Sequence, residues 1–175
     1  MKKILLTLAA SAMLILVSGT SLFAQQKIGH IDTQAILQLM PERDSAAKVY
    51  EKFNAEILKN LESMNVVYAN LVETYTKQRD SLSSFIRSAK EAEIGDMQGK
   101  ITNFREVAQQ ELDKKQNDLM APIVAKLKAA IKAVAEAGKF TYVIDTQSGA
   151  GILLYFPEDE SLNLLAPVKA KLGIK

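Results

Sequence analysis

The sequence predicts an α+β chain that is predominantly α, with a long antiparallel helical hairpin carried as an arm on a small β body. Three observations predict it. From Glu42 to about Arg79 neither Gly nor Pro interrupts an apolar stripe with steps of three or four residues. A second stripe of the same period runs from Ile94 to Val134. Short apolar runs suited to strands lie outside both stripes, in KIGHID before the first and in FTYVIDT and GILLYF after the second.

The chain opens with MKKILLTLAASAMLILVSGTSLFAQQ, where Lys2 and Lys3 precede an apolar stretch, Ile4 to Val17, of the length that export signals use and membrane spans exceed. Residues 1–24 therefore read as a signal peptide. Cleavage is placed after Ala24; a cut nearer Gly19 to Ser21 is the alternative, because Leu22 is larger than the residue usual at its position. No Cys stands near the cut to take a lipid, and no later segment is long and apolar enough to span a bilayer. Losing Lys2 and Lys3 changes the balance from 22 basic and 20 acidic side chains to 20 of each. A neutral chain is poorly suited to nucleic acid, which is held through many phosphate contacts. The absence of Cys excludes disulfides, thiol catalysis and Cys-ligated zinc, and a single His leaves no His-rich metal site. No metal and no cofactor is expected.

KIGHID reads as the first strand, with Asp32 or Thr33 capping a short helix that stops before Pro41. The first arm helix follows, with Tyr50, Phe53, Ile57, Leu61, Met64, Tyr68, Leu71 and Tyr75 on its stripe. At ~1.5 Å per residue it reaches on the order of 55 Å and must project from the body. RDSLSSFIRS then breaks the rhythm, and Ser88-Ala89-Lys90-Glu91 fits the capping box of a new helix. The return stripe comprises Ile94, Met97, Ile101, Phe104, Ala108 and Leu112, lapses through DKKQND, and resumes at Leu119, Ile123, Leu127, Ile131 and Val134. Each helix exposes a seam that the other covers, so the two fold back as a pair. Gly95 and Gly99 weaken the return helix, and Pro122 is expected to kink it near the base.

Phe140 to Thr146 and Gly151 to Phe156 read as strands joined by QSGA, and a last short helix has Pro167 in its first turn and ends at Gly173. Ile152 to Phe156 is apolar on both faces, and the short pieces hold too little core for an independent body, so association with further copies is expected. Asp145-Thr146 resembles an acid-protease loop, but Gln147 stands where such a loop needs Gly, and Ser148-Gly149 is ordinary hairpin chemistry. The chain is therefore not expected to be an enzyme. His30, alone on its strand, reads as structural.

Val49, Leu58, Val66, Val67, Val72, Val107, Met120 and Val124 lie off the main seam, a surplus that a two-helix hairpin cannot hide. The bland reading is a coiled-coil envelope scaffold with one permanent partner helix; the sharper one is an interaction surface.

The order of IGHIDTQAILQLMPE, the hairpin, KKQNDLMAPIVAKLKAAIKAVAEAGKFTYVIDT at its base and the KLGIK tail resembles the Skp/OmpH family of periplasmic chaperones over essentially the whole mature chain. The resemblance implies a homotrimer in which an intersubunit β-barrel carries three arms around a cavity. It also implies an ATP-independent holdase for unfolded outer-membrane β-barrel proteins in the periplasm of a Gram-negative bacterium, with at most transient membrane-surface contact. On this chain the client-binding positions would be Leu58, Met64, Val67, Tyr68, Val72, Tyr75, Phe85, Met97, Phe104 and Val107. The trimer contacts would be Ile28, Ile31, Tyr142, Ile144, Ile152, Leu154 and Phe156. The body would comprise residues 25–41 and 137–175, and the arm 42–136. One departure stands out: the best-known members are strongly basic, whereas residues 42–118 hold 12 basic and 14 acidic side chains, with Lys126, Lys128, Lys132 and Lys139 as a cationic excess at the base.

Overall fold

The computed structural model describes residues 26–147, 155–157 and 159–174. The signal segment, the QSGA turn beyond Gln147, and Ile152 and Leu154 lie outside these residues. Strand β1 (Ile28–Ile31) leads into helix α1 (Thr33–Leu39), whose first turn is capped by Asp32, its carboxylate accepting from Ala35 N at 2.8 Å. Pro41 forces Met40 into extended backbone, which ends α1, and then serves as the first residue of α2 (Pro41–Gln78). With 38 residues, α2 is roughly 57 Å long.

A single 3₁₀ turn, Arg79–Ser81, and extended Leu82 reverse the chain. The return helix α3 (Ser84–Ala137) starts earlier than the capping box predicts, because the Ser83 hydroxyl already accepts from Ile86 N at 3.4 Å. Ser88 thus lies a turn inside the helix, and Lys90 pairs instead with Glu93 at 2.7 Å. Helix α3 continues through Pro122 as one element of 54 residues. It closes with Lys139 in the left-handed region (φ 54°), where Lys139 N donates to Glu136 O and Phe140 N to Ala135 O, so the last carbonyls keep donors.

Strand β2 (Tyr142–Asp145) pairs parallel with β1, so the entire hairpin is the crossover between two adjacent strands. The register sets Ile28 beside Tyr142 and His30 beside Ile144. On the other side of β1, Leu164 N donates to His30 O at 2.9 Å, which anchors the terminal helix α4 (Leu165–Leu172). Gly29 has no room for a side chain: a Cβ there would fall 2.4 Å from Leu164 and 2.9 Å from Phe140.

The core joins body and arm. Ile31, Ile36, Met40, Leu164 and Val168 pack with Ala46, Ile123, Leu127 and Ala130 from the base of the hairpin. The sequence assigns Ile123 and Leu127 to the arm seam; the fold uses them to complete a body whose own short pieces carry too few apolar residues.

The Asp145 carboxylate is a latch. It accepts from Thr33 Oγ1 at 2.6 Å, from Thr33 N at 3.3 Å and from Gln147 N at 3.2 Å, tying the end of β2 to the start of α1. Hydrogen bonds to a charged group are worth about 1.5–3 kcal/mol each in partly buried settings. Asp145→Ala is accordingly expected to lower body stability by about 2 kcal/mol, with Asp145→Asn recovering part. Urea unfolding followed by circular dichroism measures it, and an unchanged midpoint would show that the latch bears no load.

Candidate functional site

Two surfaces carry apolar side chains that the subunit does not use. The first is the arm. The seam between α2 and α3 closes over Ile101, the one buried seam residue of the distal arm among the described residues. Tyr68 donates to Gln98 Oε1 at 3.5 Å, Tyr75 donates to the Glu91 carboxylate, and the Lys115 ammonium lies 5.5 Å from the Phe53 ring centroid. The Glu91 carboxylate holds the Tyr75 hydroxyl above the usual phenol range. Lys126 donates to Glu42 across the base and holds that carboxyl below the usual range. The other ion pairs among the described residues, Lys77–Glu73, Lys90–Glu93 and Lys132–Glu136, join neighbouring turns of one helix and add little to the pairing.

The ten arm positions named from the sequence divide accordingly. Leu58, Val67, Phe85 and Val107 are exposed, Phe85 to 80 %. Met64, Tyr68, Val72, Tyr75, Met97 and Phe104 are half-buried. Tyr68 and Tyr75 spend their hydroxyls across the hairpin, so these side chains are shared between pairing and any outer contact. Met120 and Val124, counted as surplus in the sequence, are half-buried, and Met120 packs against the core cluster. Sequence reasoning missed Ile86, which is exposed beside Phe85 at the arm tip. The signal was available: two large apolar residues directly follow Ser83-Ser84, ahead of the stripe.

The second surface is the outer face of the β1–β2 sheet. Strand alternation turns Gly29 and Ile31 inward and Ile28 and His30 outward. Ile31, named from the sequence as a trimer contact, is 1 % exposed and belongs to the subunit's own core, so it has no surface to offer another copy. Ile28, Tyr142, Ile144 and Phe156 are exposed, Tyr142 to 60 %. Together with His30 and Tyr155, all of these but Tyr142 line a groove that is apolar over most of its wall.

A paired-helix arm with uncovered apolar flanks, set on a small α+β base with a second uncovered face, defines an arm-bearing interaction protein. Comparison with known proteins gives the class its family. The model of the OmpH-like outer membrane protein family matches residues 27–172, and the chain belongs to that family. It is similar to the chaperone protein Skp of Pectobacterium atrosepticum, 25% identical over 142 residues that span 81% of this chain and 86% of the relative. A crystal structure from Caulobacter crescentus, solved as a candidate outer membrane chaperone (OmpH-like), superposes with a TM-score of 0.70 at 11% identity, covering 89% of this chain and 88% of that one. That likeness establishes the fold.

Proposed function

We propose that the protein is an ATP-independent periplasmic holdase that keeps unfolded outer-membrane β-barrel proteins soluble in a cavity between helical arms. In this reading residues 1–24 are the export signal, residues 25–41 and 137–175 form a trimerising body, and residues 42–136 form the arm. The observation that carries it is the set of exposed apolar side chains on an otherwise neutral arm, Leu58, Val67, Phe85 and Val107. An unfolded outer-membrane strand alternates apolar and polar residues and offers no deep feature to grip. Shallow apolar contacts suit it, each worth about 1 kcal/mol or less and summed by confinement among several arms. Nucleotide has no part in such a cycle, because release follows when the client buries its own apolar face elsewhere.

The mature protein is expected to suppress aggregation of a urea-unfolded porin, measured by light scattering without nucleotide. The arm has no cationic excess, so raising salt from ~0.05 to ~0.5 M is expected to weaken capture only about twofold, since screening acts on charge and not on apolar contact. No suppression at excess chaperone would remove the holdase reading. A collapse of capture with salt would move the mechanism from apolar faces to the lysines at the base.

A further inference from the structure

His30 is the one titratable side chain among the described residues on the outward side of β1. Its ring lies against Phe156, centroids 4.7 Å apart and tilted by 42°, and its Nε2 is buried without a hydrogen-bond partner among the described residues. Ile144 sits beside it across the strand pair, and Ile28 follows on the same face. A neutral imidazole is tolerated there as a flat, mostly apolar ring. An imidazolium would bring a full charge and a second N–H to a face whose exposed area is aliphatic and aromatic.

The other ionisable groups around the ring are already occupied. Lys27 donates to Gly138 O at 3.2 Å and stands over the Phe140 ring at 4.0 Å. The Ser161 hydroxyl and then its backbone N–H, from which the Asp159 carboxylate accepts at 2.8 Å, hold that carboxyl below the usual range at the groove rim. Tyr155 lines the same groove and Tyr142 pairs beside Ile28, while Asp32 caps α1 and Asp145 latches Thr33. In a separate subunit the half-exposed ring still meets water on the side away from Nε2, and the Asp159 carboxylate on the same groove interacts favourably with a charge on it. Once a second apolar face covers the groove, the water is gone.

We infer that His30 makes self-association of the body acid-sensitive, with copies meeting across the outer β1–β2 face while the ring is neutral and separating as it takes up a proton. The inference rests on the assembly reading given above. The sign follows from linkage: the separated subunits bind the proton more tightly than the assembly, so protons compete with association, and assembly is strongest above the pH range in which imidazole titrates. If three rings must each shed a proton on assembly, the association constant falls by up to about 10³-fold between pH 7.5 and 5.5.

Sedimentation velocity of the mature protein at pH 7.5 and 5.5, over a range of concentrations, tests this against His30→Gln and His30→Phe. Circular dichroism at both pH values checks that each variant is folded. The wild type is expected to be trimeric at pH 7.5 and to dissociate at pH 5.5, with at least one folded variant remaining assembled at both. A wild type that stays trimeric in acid, or folded variants that dissociate as the wild type does, would overturn the inference and leave the assembly reading intact. A wild type that is a single subunit at pH 7.5 would overturn both.

Discussion

Replacing Leu58, Val67 and Val107 together by Gln is expected to cut capture of an unfolded porin at least tenfold while leaving the hairpin folded. All three side chains are exposed, so the hairpin loses little contact of its own. Gln is as good a helix former as Leu and better than Val, so helix content should hold or rise slightly. Each substitution removes an apolar contact of roughly 0.5–1 kcal/mol from the client side, and tenfold in affinity corresponds to about 1.4 kcal/mol. In the trimer proposed above, three positions repeated on three arms would exceed that margin even if a client touched only some of them. The paired control is Ile101→Gln, at a buried seam position, which should lower the thermal midpoint of the arm before it affects capture. The distinction is read by fluorescence binding with circular dichroism on the same samples. Undiminished capture by the folded triple variant would place the holding surface elsewhere, with the tip pair Phe85 and Ile86 the next candidate.

The hairpin was legible because its signal is periodic and long. The stripes of α2 and α3 repeat over many turns, so errors at single positions cancel, and Pro41 and Asp32 fix the boundary at α1 by local chemistry. The start of α3 was misplaced for a local reason: the four serines of RDSLSSFIRS precede the second stripe, and the pattern alone favours Ser88, which is followed three residues later by Glu91. The chain uses Ser83 because Leu82 before it is already extended. What could not be read was the traffic between distant segments. The parallel pairing of β1 with β2, the burial of Ile31 and the recruitment of Ile123 and Leu127 into the body depend on residues far apart in the chain meeting, as Ile28 meets Tyr142. The same holds for Asp145. Its neighbours in sequence suggested an active-site loop or a hairpin bend, whereas its partner Thr33 explains it as a clamp. For the arm positions, period separates seam from flank, but it does not say that Tyr68 and Tyr75 spend their hydroxyls on α3.

Placing a carboxylate on the free sheet face separates the two roles of the body. Ile144→Asp is expected to leave the subunit folded, since the side chain is exposed and the core lies on the opposite face of the sheet. In an assembly that closes over this face, the same substitution buries an unpaired charge once per subunit, at several kcal/mol each, and a trimer has no means of relieving all three. Sedimentation should therefore give single subunits at every accessible concentration, with wild-type helix content. The consequence for function is larger than the loss of one surface. Under the proposed holdase function, an arm acting alone would hold a client by a handful of weak contacts and release it when those break, whereas three tethered arms would recapture each released segment at high local concentration, a gain of the order of 10²–10⁴ in apparent affinity. Ile144→Asp should thus abolish aggregation suppression at concentrations where the wild type is fully effective, although every arm residue is unchanged. A variant that sediments as single subunits yet still protects the porin would show that one hairpin is a sufficient binding unit, and confinement would lose its place in the mechanism.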